Sequence, residues 1–345
     1  VQDKSSHGLH WFDPFGSVRF EDLCNVPPVD NNKNSVRYLF WDQEPLHQET
    51  VDQTLSSFVT MFPLGTRHII TSEHNSDQVE HVKNTYGFVP HYYFFHGWAA
   101  LDWYRGYDRS FLMPAPNDRK ITATFISPNR IVAGQRNHRL LMFYHILKNQ
   151  MLDNYISFPA ICPAEGIAVR DAVKSLTDTY PDIESVYADK NLHLPLEFEG
   201  ESGAPMHSFQ LSLFTQCASS LLYLVNETVA AGRRHHLTEK TFKPICLRMP
   251  FVLVGTQGSL EYLRSYGFKT FNSLWDESYD LETDDVIRLE KIAGLLKELN
   301  SLNTAEKNSL FHRAEQICQH NYDHFYGGGF ESVLWTELTQ MIKEF

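Results

Sequence analysis

Apolar residues along this chain gather in short runs, at 38–41, 68–71, 92–95, 121–126, 155–158, 221–225 and 251–254. Runs of four to six residues bounded by Gly, Pro, Asn or Ser predict buried strands of a parallel sheet. Helical spacing takes over between them. Leu140, Phe143, Tyr144, Leu147 and Met151 fall on one helical face. The tail from about 303 to 345 also reads as mostly helical, broken at Gly327-Gly328-Gly329. The polar stretch 30–34 predicts a loop. Strand–helix alternation over the whole length predicts an α/β architecture. The Pro-rich stretch 113–118 reads as a linker. It divides a domain at 1–115 from a second at 116–345, with the last helix expected to return to the first.

A length of 345 residues suits two domains of ordinary size. Hydrophobic residues at 42% and charged residues at 21% are globular values, so the core needs no metal or disulfide staple. A net charge of −12 argues against non-specific coating of nucleic acid, which is driven by cations on phosphates. The cysteines Cys24, Cys162, Cys217, Cys246 and Cys318 are odd in number, widely spaced and without a CxxC. They read as reduced thiols of a cytoplasmic protein. No run of 18 apolar residues predicts a membrane span. The chain begins at Val1, which leaves a trimmed leader or anchor open. The sequon Asn226-Glu227-Thr228 follows an apolar run directly and reads as chance.

Candidate chemistry concentrates between Asn226 and Arg248, where five Lys/Arg face two acids in an otherwise acidic chain. Thr238 is a good N-cap, so a helix is expected to open at Glu239, next to Lys240. Its free N–H groups and positive dipole end suit a diphosphate, and Arg234 lies just upstream. The alternative is a capped surface helix among solvated charges. The strand 250–255 comes next, and ligands of open α/β sheets bind at the carboxyl ends of strands. A second segment, 122–130, reads as a strand leading to Asn129 and a polar loop. A helix then opens near Arg136, with His138 and Arg139 in its first turns. A cation on that apolar stripe makes sense beside a cleft holding phosphate; the alternative is an exposed first turn with salt bridges.

These two segments together resemble the donor domain of the α1,3-fucosyltransferases. The residues that carry the resemblance are Phe125-Ile126-Ser127-Pro128-Asn129, then Arg136 or Arg139, then Thr238-Glu239-Lys240 and the strand 250–255. It spans about 121–255 at the level of motifs. It implies a GT-B fold, two Rossmann-like domains facing across a cleft, with a nucleotide-diphosphate sugar in the C-terminal half. It also implies catalysis without a bound metal or other cofactor. Lys240 and the arginine would hold the diphosphate, and Glu239 would accept from the ribose. Pro244 inside the helix and the pair His235-His236 depart from the family, which leaves the donor open between GDP- and UDP-linked sugars.

The expected reaction is an inverting glycosyl transfer to a hydroxyl acceptor, most simply a glycan. It needs a base for the acceptor hydroxyl, and Glu44, Glu73 and Asp102 are the candidates, in that order. Glu44-Pro45 loosely resembles a Glu-Ser-Pro-type turn of the same family, and Asp42 and Glu44 lie just past a strand. For each acid a helix cap or loop salt bridge is the plain alternative. Aromatic segments 94–98 and 102–107 suit an acceptor platform or a buried core. Two other readings stay open. One moves the acceptor to hydroxymethylated bases of DNA, with Arg105, Arg109, Arg119 and Lys120 facing it. The other keeps the fold as a non-catalytic sugar-nucleotide or glycan binder. No P-loop, HExxH, GxSxG or GxGxxG is present. The histidines show no metal-ligand spacing. The acidic stretch 276–285 reads as a solvated face.

Overall fold

The computed structural model describes residues 7–12, 32–41, 43–107, 113–198 and 210–344. Cys24, Asp42, Arg109 and positions 30–31 of the predicted loop lie outside the described residues. Among the described residues eight strands and twelve α-helices succeed one another. The first are β1 His7–Phe12, β2 Val36–Trp41, α1 Gln48–Met61, β3 Thr66–Thr71, α2 Asp77–Tyr86, β4 Phe88–Tyr92, α3 Phe95–Tyr104, β5 Ala123–Pro128, α4 His138–Lys148 and β6 Tyr155–Ser157. Next come the short helices α5 Val169–Ala172, α6 Ile183–Tyr187 and α7 Phe214–Ala218, then β7 Ser220–Asn226, α8 Glu239–Cys246, β8 Phe251–Val254 and α9 Ser259–Ser265. The chain closes on α10 Asp285–Ser301, α11 Thr304–Tyr326 and α12 Gly329–Lys343.

The described strands pair in parallel throughout, in two four-stranded sheets ordered β1-β2-β3-β4 and β6-β5-β7-β8. The protein is therefore α/β. It divides into two compact units. One holds the chain up to Ala99 together with Arg233–His236 and the residues from Ser332 on; the other holds Ala100–Gly232 and Leu237–Glu331. The division falls within α3. The Pro-rich stretch lies inside the second unit, where Pro116–Asp118 forms one 3-10 turn.

In the first unit, α1 turns Val51, Leu55 and Phe58 inward at helical spacing onto Leu39, Trp41 and Ile69 of β2 and β3. Ser76 caps α2 by accepting from the Gln78 N–H, and Gly87 ends it in the left-handed region at φ 68°. The aromatic run at 92–95 is not a strand. β4 stops at Tyr92, and Phe95 already opens α3.

In the second unit β7 is buried at all seven positions and β8 at all four, which is why both read as unbroken apolar runs. α8 is short for a local reason. Pro244 has no N–H to donate to the carbonyl four residues back, and the helix ends two residues later. The tail forms α11 and α12, broken at Gly327-Gly328. The acidic stretch 276–285 is not a solvated face throughout. Asp280 is buried and accepts from the N–H groups of Leu260 and Glu261, where α9 needs acceptors; Glu277 accepts from Phe271 N–H. Burial pushes both carboxyls up.

Candidate functional site

The second sheet reverses direction between β5 and β7: the chain goes from β5 to β6 on one side, then crosses back to β7 on the other. In an open parallel sheet that reversal parts the loops at the strands' carboxyl ends and leaves a crevice there. The residues ending β5 and β7 carry polar side chains. Asn226 donates its amide to Ser127 Oγ at 3.2 Å and to Asn129 Oδ1 at 3.0 Å. Asn129 in turn donates to the Ser127 carbonyl and hydroxyl, and its backbone N–H reaches Ser157 at the end of β6. Asn226 is buried with its Oδ1 lacking a hydrogen-bond partner. Both its position and its committed amide remove the sequon from the surface.

Glu227, the next residue, is fully buried (0% exposed) and organises the start of α8. One carboxylate oxygen accepts from Thr238 N–H at 3.0 Å and from the Thr241 hydroxyl at 2.5 Å. The other accepts from the Thr238 hydroxyl at 2.5 Å and from Thr228 N–H at 3.1 Å. Four donors offset the desolvation of a carboxylate with no cation directly on it. Thr238 does occupy the N-cap of α8 in extended conformation, but its hydroxyl caps no backbone N–H. Its hydrogen goes to the Glu227 carboxylate and its oxygen accepts from the Lys240 ammonium instead.

Lys240 sits in the first turn of α8. Its ammonium donates to Glu239 Oε1 at 2.8 Å and to the hydroxyls of Thr228 and Thr238, each at 3.2 Å. Its side chain is 31% exposed, against 6% for Glu239. The resemblance gave Lys240 to the diphosphate and Glu239 to the ribose; the structure pairs the two with each other, Glu239 buried and Lys240 half-buried. Tyr104, fully buried, donates to the Glu239 carbonyl at 3.4 Å.

The first turn of α4 closes the other side of this constellation. A 3-10 turn, Gly134–Arg136, precedes the helix, and Arg136 is half-buried there. Arg139 is buried and spends its guanidinium on main-chain carbonyls. It donates to Ile131 at 2.7 Å after β5, and to Asn226 and Glu227 at 3.0 and 2.8 Å. Burial, then the nearby Arg136, lowers its pKa to about 10. A cation on the apolar stripe is therefore resolved by loop carbonyls, which makes Arg139 a brace. His138 donates to the same Glu227 carbonyl at 3.0 Å; burial, with Arg139 beside it, pushes its pKa down to about 3, so the ring is neutral. Arg288, which sequence reasoning passed over, braces the neighbouring loops in the same way through the Ala230 and Gly255 carbonyls.

The remaining sequence candidates fall elsewhere. Arg234 belongs to the first unit, where it donates to the Leu46 carbonyl at 3.2 Å and to Glu73 at 3.3 Å. Glu73 is buried, accepts from Leu46 N–H at 2.9 Å and from the Ser76 hydroxyl, and holds a raised pKa because burial outweighs Arg234. It organises a turn. Asp102 has a side chain 67% exposed and pairs with Arg105 one helical turn on. Glu44 is half-buried. Arg119 is spent inside the second unit. It is buried and donates to the carbonyls of Pro114, Leu247 and Arg248. Phe94 is core, while Trp98 packs edge-on against Trp335. The described cysteines are buried free thiols. Among the described residues no three His, Cys, Asp or Glu stand together as a metal-binding group, and no helix is long and apolar enough to cross a membrane.

Glu227 was missed because it appeared only inside a chance sequon. The usable signal was a carboxylate two residues past the apolar run 221–225, with three threonines within fourteen residues. No family model, no curated protein and no solved structure matches the chain.

Proposed function

We propose that the chain is a GT-B type glycosyltransferase that binds a nucleotide-diphosphate sugar in its second unit. The observation that carries this reading is the Lys240 ammonium, held in the first turn of α8 just past the carboxyl end of β7. A fixed cation beside helix N–H groups at a strand-order reversal suits a diphosphate. Such a group stabilises the charge that grows on a departing nucleoside diphosphate, the part a metal plays in other transferases. The Thr238-Glu239-Lys240 likeness to the α1,3-fucosyltransferases points the same way. Asn129 and the orphan acceptor of Asn226 suit hydroxyl or N–H donors of the nucleoside. Of the acids considered as base for the acceptor hydroxyl, Glu44 is the one this proposal keeps, since Glu73 is consumed by its turn and Asp102 by Arg105. The acceptor is a hydroxyl, with a glycan the simplest class.

A thermal-shift screen of the wild type with GDP, UDP, CMP and dTDP tests the reading. A ligand that binds only the folded state raises the melting temperature. GDP or UDP is expected to do so, and Lys240→Ala to reduce the shift. No shift with any nucleotide would refute the proposal; a shift without turnover on any hydroxyl acceptor would reduce the protein to a binder.

A further inference from the structure

Lys240 reaches no ligand group alone. Two of its three partners are hydroxyls, and both hydroxyl residues are tied to the buried carboxylate of Glu227. The Thr238 hydroxyl has one hydrogen, and Glu227 Oε2 takes it at 2.5 Å. Its lone pairs are then turned out to accept from the ammonium at 3.2 Å. A hydroxyl that donates to a carboxylate is also a better acceptor than an isolated one, because hydrogen bonds in a chain polarise each other. Thr228 is held by the same oxygen through its backbone N–H and offers its hydroxyl as the second acceptor. The backbone at the start of α8 is fixed by the other oxygen, through Thr238 N–H.

From this arrangement we infer that Glu227 is the positioning residue of the anion site, setting the place of the Lys240 ammonium through the Thr238 hydroxyl. The inference rests on the proposed diphosphate-binding role of Lys240 for its functional consequence, and on geometry alone for its structural part. Glu227 touches no ligand in this scheme. Its carboxyl group stays beneath the threonines, so that Lys240 is held by hydroxyls as well as by Glu239. An ammonium with several fixed acceptors loses less freedom when a phosphate arrives, which is how preorganisation raises affinity.

Thr238→Val removes the relay and leaves three of the four bonds to Glu227, so the fold is expected to survive. Thr238→Ser keeps the hydroxyl. Titration calorimetry with GDP and UDP on wild type, Thr238→Val, Thr238→Ser, Lys240→Ala and the Val/Ala double variant reads the functional arm. Thr238→Val is expected to weaken binding about tenfold, the size of one charge-assisted hydrogen bond. Ser is expected to restore it, and the double variant to be no weaker than Lys240→Ala alone. Full additivity of the two losses would mean that Thr238 acts independently of Lys240 and would overturn the relay. The structural arm needs no ligand. In lysine-¹⁵N spectra, the Nζ resonance missing from Lys240→Ala is tracked in Thr238→Val, Thr238→Ser and Glu227→Gln. It is expected to move in the Val and Gln variants and to return in Ser. An unmoved resonance overturns the positioning role whether or not nucleotides bind. A moved resonance with no GDP or UDP binding by wild type leaves that role standing and refutes the proposed function instead.

Discussion

Two four-stranded parallel sheets of the same chain differ in one respect: β1-β2-β3-β4 adds each strand on the same side, whereas β6-β5-β7-β8 reverses after its first crossover. Crossovers in parallel sheets are right-handed, so same-side addition lays successive crossover helices on one face. Reversal sends them to opposite faces and opens the loops between. The described strands of the first unit have no such point; the second unit has one, between β5 and β7. The difference extends to the buried glutamates that come after a strand in each. Glu73, after β3, sits on Arg234 and keeps a raised pKa. Glu227, after β7, is satisfied by hydroxyl and amide hydrogens and leaves the nearest ammonium one hydroxyl away. An ion pair closes a turn, while a carboxylate sated by neutral donors can shape a site around a cation it does not neutralise.

Removing each glutamate is the harshest way to break that contrast. Glu227→Ala orphans two buried N–H groups and two hydroxyls, and is expected to cost roughly 3 kcal/mol or more. Urea unfolding measures the loss. Hydrogen exchange should locate it around α8 and β7, while Glu73→Ala loosens the α1–β3 region instead. A Glu227→Ala protein as stable as wild type would show that the hydroxyl cage is not needed for the fold.

The units also divide in what they bind. Lys240→Ala is expected to slow turnover about a hundredfold. Its stability should change by no more than about 1 kcal/mol, because the lysine is half-buried rather than core. Arg234→Ala, made in the first unit, should leave GDP or UDP affinity near wild type. Equal losses for the two variants by calorimetry would end the assignment of nucleotide binding to the second unit alone.

Acid acts with opposite sign on two buried groups, one from each unit. His138 holds a folded pKa of about 3 against an ordinary 6.5, so unfolding takes up a proton between those values. Its share of stability is complete above about pH 6.5 and drains as pH falls, at up to ~1.4 kcal/mol per unit. Glu73 runs the other way: its raised folded pKa makes the native state the better proton binder, so acidification through the carboxyl range favours folding there. Urea midpoints should hold down to about pH 6.5 and then fall toward pH 5 in wild type, and fall less in His138→Gln. The smallest effect is expected at Asp102. Its exposed pair with Arg105 should contribute under about 0.5 kcal/mol, and Asp102→Ala should match wild type in melting temperature and turnover. A loss of turnover there would restore Asp102 as a base.

Much of the second unit was legible from residues alone. β8 spans the residues its apolar run marked, and α8 opens at Glu239 as the capping threonine implied. Burial on both faces writes itself into sequence as unbroken apolar runs, and helix starts carry local chemistry. Strand order leaves no such trace, because a crossover to the left and one to the right use the same turn and helix residues. The roles of Arg139 and Glu227 were hidden for a related reason. Sequence shows that a buried charge needs partners, but Arg139 found loop carbonyls and Glu227 found threonines ten or more positions away. Arg234 reads as a neighbour of Lys240 in sequence, yet the fold places it in the other unit.

The buried Asn226 bears on how this protein can be made. Where nascent chains meet an oligosaccharide-transferring enzyme, an Asn-Glu-Thr tripeptide is a target before folding hides it. A glycan on that nitrogen replaces one of the two hydrogens that reach Ser127 and Asn129, and no sheet interior holds one. Production through such a compartment becomes a race between β7 closing into its sheet and the modification. Chains that lose the race are barred from the native state, so the yield of active protein should depend on the host's glycosylation capacity.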